Sequence, residues 1–497
     1  MNIYASSALF INGYFDREVA MVSVTEDQEL QFIPAYKLAE MIRYKKLSPL
    51  ELMQITLKRI KQINPKLNAY LTVAEEEAMQ GAQKCEETLY TSANLKPLHG
   101  IPISIKDLNL TKGMRTTFGS LIYKNFIPDT EGTMVRRLKA AGAIIVGKTN
   151  TPEFGQSCTT ENKLGDACRN PWNTEMTSGG SSGGAAASIA AGITPLAQGS
   201  DGGGSIRIPA CFCGVYGLKA TNGRVPIEVQ PWGVSHIACY GPITRCVRDA
   251  ALMLSVISGP DGLDYSCIRT KPPDFLKALE HRPRNRKKFR IAWSFDLDYG
   301  VNVDPSVRLA FEAALHVFEE LGHELIEATP ATGMPFDAWD VAGSSRNYIA
   351  FGSHLENNSE RLTDYVRKAL ECGHSVSGVE VAQAWAQIEK TRGVMLDFFE
   401  KYDLLLTPTT AVPTFPIGQK SKEQLGRGFI DWGFFPFNCI FNLTRNPAAT
   451  VPCGFSSNGL PIGLQIVGRI EDEITVLCAS ADFEEARPWA DKYPPIS

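Results

Sequence analysis

The chain has no apolar run near the ~18 residues that a bilayer-spanning helix needs, so no membrane span is expected. It also lacks a surplus of charge. Its 50 Lys and Arg stand against 54 Asp and Glu, a formal charge of −4 over 497 residues. That balance gives no bulk pull toward nucleic acid or an anionic membrane. Histidine is scarce: there are seven, none in a recognisable catalytic pattern. His99, beside Gly100, reads as structural. A serine nucleophile in this chain therefore needs a different kind of base. Zinc-type cysteine pairing is missing as well. There are 12 Cys, but Cys211 and Cys213 are the only close pair, and structural zinc needs four ligands. No metal site is expected, and the thiols read as buried and reduced, in a cytoplasmic protein. A secretory leader is absent too: Met1 to Ala20 mixes apolar residues with Asn12, Asp16 and Arg17 and has no basic start. Residues 1–30 read as a weakly ordered extension, with a truer start near Met21. There is no tandem repeat.

What is present is an ordinary globular mix, 44% hydrophobic and 21% charged. The length allows one very large α/β domain or two to three ordinary ones. Apolar residues recur at helical spacing over 35–47 and 49–63. Ser48-Pro49-Leu50-Glu51 combines a capping box with proline at the first helical position, and Pro65 is expected to end that helix. A charged helix follows at 74–88. Ile101, Ile103 and Ile105 alternate, which predicts a half-buried strand with Ser104 and Lys106 on its opposite face. Next come a helix over 133–141, a strand over 143–146 and a helix over 246–257 capped by Thr244. A strand over 289–294 leads to a helix opened by Asp304-Pro305 and closed by Gly322. A strand over 324–328 and a mostly helical stretch over 358–400 follow. Residues 404–406 read as a buried parallel strand, and residues 463–467 with a helix over 472–486 close the chain. Arg282, Arg284, Arg286, Lys287, Lys288 and Arg290 crowd one segment without interleaved aromatics, so 268–290 is read as a solvated connector rather than a nucleic-acid patch. Strands and helices alternate throughout. That pattern predicts an α/β protein with a mixed, mostly parallel central sheet covered by helices on both faces.

Two clusters carry the chemistry. Residues 179–184 are Gly-Gly-Ser-Ser-Gly-Gly, and residues 199–207 are Gly-Ser-Asp-Gly-Gly-Gly-Ser-Ile-Arg. Glycine lets a backbone turn sharply and lets other atoms approach its N–H groups. A serine in such a turn is the raw material of a nucleophile beside an oxyanion hole. Residues 142–149 fit the phosphate-loop pattern, but the middle residues Ala-Ile-Ile-Val favour a strand and no helix signal follows, so that reading is rejected. Residues 179–183 fit the G-x-S-x-G nucleophile elbow. That motif needs a strand before it, and Arg169 to Thr177 look polar and turn-like. A helix over 185–191 follows. Lys106, Ser181 and Ser205 are the polar groups that stand out. Lysine serves as a base only if neutral, and its unperturbed pKa is about 10.4, so burial must lower it. Trp432, Phe434, Phe435, Phe437 and Phe441 form an aromatic cluster, read first as core and second as the lining of an apolar acyl or aryl pocket.

The two Gly-Ser clusters, with Ile-Pro-Ala after Arg207 and Gly217-Leu218-Lys219, resemble the signature of the amidase signature family. Gly100-Ile101-Pro102 through Lys106-Asp107, Gly147 through Phe154, Arg169-Asn170-Pro171-Trp172, Gly241 through Arg245, Asn446-Pro447-Ala448 and Gly459 through Gln465 are similar to it as well. The likeness covers residues 34–487. It implies one domain over 31–490, with a mainly helical segment at 340–400 and a tail at 491–497. It implies a Ser–Ser–Lys triad: Ser205 as nucleophile, Ser181 as bridge after a cis peptide bond, and Lys106 as base. The oxyanion hole would come from the N–H groups of Gly202, Gly203, Gly204 and Ser205. Ser182 and Asp201 would hold the loops, and Arg207 would act as an anchor. The implied activity is hydrolysis of a small-molecule amide, carbamate or ester through an acyl-enzyme, with no cofactor, by a monomer or homodimer. Two rivals stand beside it: an A-type chain of a glutamine amidotransferase acting on aminoacyl-tRNA, and a binding protein on an inactive amidase fold. Gly202 and Arg445 depart from the common family pattern. Substrate choice is expected to lie in segments 155–162, 228–240 and 430–445.

Overall fold

The computed structural model describes residues 30–227, 237–282, 288–423 and 425–496. The alternating pattern becomes one sheet. Its strands are β1 (Tyr70–Val73), β2 (Pro102–Lys106), β3 (Ile144–Thr149), β6 (Leu196–Asp201), β7 (Tyr216–Lys219), β8 (Cys239–Thr244), β9 (Arg290–Trp293), β10 (Glu324–Glu327), β11 (Leu404–Pro408), β12 (Ala448–Phe455) and β13 (Pro461–Gly468). β4 (Arg169–Asn170) and β5 (Asn173–Thr177) form a separate hairpin. The 11 strands run in the order β1-β3-β2-β6-β8-β7-β12-β13-β11-β9-β10. The α/β architecture and the mixed sheet are as expected. Parallel pairing sits in the flanks, β3-β2-β6 and β11-β9-β10. The middle, from β6 through β8, β7, β12 and β13 to β11, is antiparallel.

β2 shows how this sheet is covered. Ile103 and Ile105 enter one apolar cluster with Leu98 and Met134. The strand is not half-buried as predicted: all five residues are buried. Its polar face is covered by the helix Gly183–Ala190, every residue of which is buried. The cover is satisfied by hydroxyls. Tyr70 Oη lies 2.5 Å from Ser104 Oγ and 2.7 Å from Ser188 Oγ, and Ser104 Oγ lies 2.9 Å from Thr194 Oγ1. Buried polar groups persist where they are paired in this way. The helix can lie this close because it begins with glycine: a Cβ on Gly184 would stand 2.4 Å from the Asn150 amide nitrogen.

Several local expectations change. The helix that starts after Ser48 runs Pro49–Leu67, straight through Pro65. Burial of Ile63 and Leu67 outweighs the backbone bond that proline removes, and Asn68 in the left-handed region (φ 50°) ends the helix instead. Ser48 caps it by accepting from the Leu50 and Glu51 N–H groups, while its own hydroxyl donates to Glu86. Thr244 is no cap. It ends β8 and donates to the Cys246 carbonyl, and the helix is Val247–Ile257. The connector at 268–290 contains a helix, Phe275–Glu280, and Arg282 is paired with Asp482. Arg284, Arg286 and Lys287 lie outside the described residues, as does all of the N-terminal extension except Leu30, which is buried. The end of the chain is tied down, with Tyr493 against the Phe32 ring at 4.4 Å. Among the described residues no helix is long and apolar enough to cross a membrane.

Candidate active site

The C-terminal end of β2 delivers Lys106 beneath the first turn of the helix Gly183–Ala190. Its side chain is fully buried. Its Nζ lies 2.7 Å from Ser181 Oγ, 2.9 Å from Ser182 Oγ and 3.0 Å from Ser200 Oγ. Burial pulls the amine down from 10.5 to about 7, although Asp201 and Cys158 work in the opposite direction. The helix N-terminus beside it adds a partial positive charge, which further disfavours the ammonium form. Gly180–Ser181 is a cis peptide bond.

The second Gly cluster is held by Asp201. This carboxylate accepts from the Gly204 N–H at 2.8 Å, the Ile206 N–H at 3.1 Å and the Arg207 guanidinium at 2.8 and 3.0 Å. Burial alone would raise its pKa, but the Arg207 guanidinium and the backbone donors hold it well below the usual carboxylate range. Arg207 also reaches the Asn438 carbonyl, Gln465 Oε1 and Asn442 Oδ1. It anchors the loop to two distant segments, residues 438–442 and β13. Ser182 joins the two clusters: its N–H donates to the Ser205 carbonyl at 3.0 Å, and its hydroxyl donates to the Ser200 carbonyl at 3.2 Å.

Ser181, Ser205, Gly202 and Gly203 line one pocket of about 160 Å³. Gly204 does not. Its N–H is bonded to Asp201, which removes it from the predicted set of oxyanion donors and leaves Gly202, Gly203 and Ser205. A Cβ on Gly202 would meet only Ala238, at 3.8 Å, so this departure from the family pattern leaves free space. Arg445 donates to the Asn222 carbonyl and does not line the pocket.

The hairpin β4-β5 supplies the strand that the sequence reading missed before Gly179, but it lies outside the central sheet. The Ser181 hydroxyl meets lysine rather than histidine, so the nucleophile-elbow reading stays rejected. Of the five clustered aromatics, only Trp432 reaches this pocket. Phe434 and Phe435 instead pack against Phe415. The segment 155–162 contributes Gly155 to Cys158, and residues 228–236 of a second expected segment lie outside the described residues. The helical wall comes from Phe336–Phe351. Trp339 and Phe351 on that helix, with Phe118, are not singled out in the sequence, and Phe154 enters there only as the end of a family motif. Ser200 is not singled out either. Its place as the serine of the Gly199-Ser200-Asp201 run is the signal available.

Residues 51–477 match the family model described as Amidase. The chain belongs to the amidase signature family. It is 38% identical over 486 residues to an acylamidase of Rhodococcus erythropolis, covering 94% of this chain and 98% of that one. It is 36% identical over 487 residues to the A-type chain of glutamyl-tRNA(Gln) amidotransferase from Geobacter metallireducens, covering 93% and 98%. In structure this amidase is similar to 6-aminohexanoate cyclic dimer hydrolase complexed with substrate. The TM-score is 0.85 at 29% identity, over 94% of this chain and 99% of that one. Membership makes the chain an amidase-family enzyme. Its triad and substrate are matters of its own geometry.

Proposed function

We propose that this amidase hydrolyses small carboxylic amides through an acyl-enzyme, with Ser205 as nucleophile, Ser181 as proton relay and Lys106 as base. The observation that carries the proposal is the buried amine, drawn down to about 7 and 2.7 Å from the Ser181 hydroxyl. A neutral amine has two N–H donors and one lone pair. Ser182 donates its own proton to the Ser200 carbonyl, so it receives an N–H from Lys106. The lone pair is then available to the Ser181 O–H, at the shortest of these distances.

In the proposed reaction Ser205 Oγ attacks the amide carbonyl. Its proton passes to Ser181 Oγ, whose own proton passes to Lys106 Nζ. The N–H groups of Gly202, Gly203 and Ser205 take the oxyanion. The ammonium returns a proton through Ser181 to the leaving nitrogen, and the C–N bond breaks. Water then enters by the same relay and releases the acid. A cavity of about 160 Å³ matches a group the size of a benzene ring, since an engineered dry cavity of ~150 Å³ in another protein takes up benzene. The apolar wall of Phe118, Phe154, Trp339, Phe351 and Trp432 favours an alkyl or aryl substituent there.

A second reading, the A-type chain of a glutamine amidotransferase, is supported by the similarity to one such chain at nearly the same identity. One experiment separates the two. The purified chain is given simple anilides and, separately, glutamine with and without partner proteins. Turnover of anilides by the chain alone, abolished in Ser205→Ala and Lys106→Ala with the fold intact, is the expected result. Near-normal turnover in either variant, or glutamine hydrolysis only with a partner, would refute the hydrolase proposal.

A further inference from the structure

The helix Phe336–Phe351 turns Trp339, Gly343, Arg346 and Asn347 toward the pocket, at the spacing of one helical face. Arg346 is the only charged side chain among the described residues that line it. Arg346 as a residue is half-buried, and among the described residues its hydrogen bond runs from Nη2 to Asn347 Oδ1 at 3.1 Å. Among the described residues no carboxylate lies within ion-pair distance of it. Burial draws its pKa down with no opposing carboxylate.

The four arginines buried among the described residues differ. Arg245 donates to the Ala490 carbonyl at 2.6 Å, with its guanidinium against the Phe32 and Tyr493 rings. Arg207 is paired with Asp201, and Arg224 with Glu473. Arg59 gives two hydrogen bonds to the Ala191 carbonyl, at 3.1 and 2.8 Å. A guanidinium withdrawn from water without a partner is unfavourable. Here Asn347 steadies it at the wall of the substrate pocket. Its planar fork is suited to a carboxylate, which it binds through two parallel hydrogen bonds.

We propose that Arg346 binds a carboxylate on the substrate, so that the enzyme prefers amides carrying an anionic group. This rests on the hydrolase reading above and narrows it to a substrate class. The carboxylate can belong to the acyl part or to the amine part, and two matched pairs distinguish these. Butyranilide against succinanilic acid places the charge on the acyl side. Acetanilide against 4-carboxyacetanilide places it on the amine side.

The test measures kcat/KM for the four compounds with wild type, Arg346→Gln and Arg346→Lys. Comparing each preference between proteins cancels the intrinsic reactivity of the compounds. For one pair the wild type is expected to favour the acid, and Arg346→Gln to lose that preference by a factor of about 10 to 100. Arg346→Lys keeps the charge without the fork and falls between. Arg346→Gln should lower kcat/KM for the acid member more than for the neutral one. A preference equal in wild type and Arg346→Gln, for both pairs, overturns the proposal. The same comparison is made for binding, by calorimetry on Ser205→Ala with and without Arg346→Gln. If wild type turns over none of the four, the hydrolase reading fails on its own, and the binding arm still decides about Arg346. Equal or undetectable binding of acid and neutral compound overturns its role.

Discussion

Replacing Lys106 by Met is expected to abolish turnover and at the same time to stabilise the protein near neutral pH. Methionine keeps the length of the side chain and removes the amine. The lowering of the Lys106 pKa from 10.5 to about 7 is equivalent to about 5 kcal/mol between its charged and neutral forms, at ~1.4 kcal/mol per pH unit. The group is fully buried, so solvent screening does not reduce this figure. The sign follows from proton counting. Between pH 7 and 10.5 the unfolded chain holds the proton and the folded chain does not, so stability rises with pH across that window and is flat below it. Between pH 7 and 9 the wild type should gain about 2 kcal/mol relative to Lys106→Met. Lys148 and Lys219, both drawn down to about 8 by burial, are present in both proteins and cancel in the difference. Urea unfolding of the two proteins at both pH values measures it. Wild-type kcat/KM should fall about tenfold per pH unit below 7, since only the neutral amine accepts a proton. Parallel unfolding curves, or an acid limb starting several units lower, would show that Lys106 is not a neutral buried base.

Three further outcomes follow from the same contacts. Ser181→Ala should lower kcat by about 10²- to 10⁴-fold, the usual worth of a positioned proton relay, with circular dichroism unchanged. Arg207→Met should destabilise the protein by about 3–5 kcal/mol, because the Asp201 carboxylate is left buried and unpaired; urea midpoints report it. Gln156→Met should raise the melting temperature. Both side-chain polar atoms of Gln156 are buried with no hydrogen-bond partner, and such a group costs about 1–3 kcal/mol.

The parts of the site that were legible in the sequence are those that depend on short-range chemistry. The Gly-Ser clusters and the lysine at the end of an alternating strand both carry local signals. The missed parts depend on what folds over them. β2 reads as half-buried because Ser104 and Lys106 are polar, and nothing in five residues announces a hydroxyl layer supplied by Tyr70, Ser188 and Thr194. The family resemblance places Gly204 among the oxyanion donors. Only the fold reveals that Asp201, three residues earlier, already accepts its N–H. Trp339 and Arg346 lie on a helix more than 130 residues from Ser205, with no motif of their own.

In the proposed mechanism the same distinction explains how a lysine can take the place of histidine. A buried ammonium would need a carboxylate beside it, and that partner would keep it charged. The negative charge of Asp201 is instead taken up by Arg207 and by backbone donors. Around Nζ stand neutral oxygens: three serine hydroxyls and the Ser200 carbonyl. Neutral hydroxyls can accept from an amine or donate to it, so they satisfy both protonation states without fixing either. Exchanging one of them for a carboxylate, as in Ser200→Asp, should therefore raise the Lys106 pKa and move the acid limb of kcat/KM to higher pH. A limb that stays at about 7 in that variant would mean the titrating group is not Lys106.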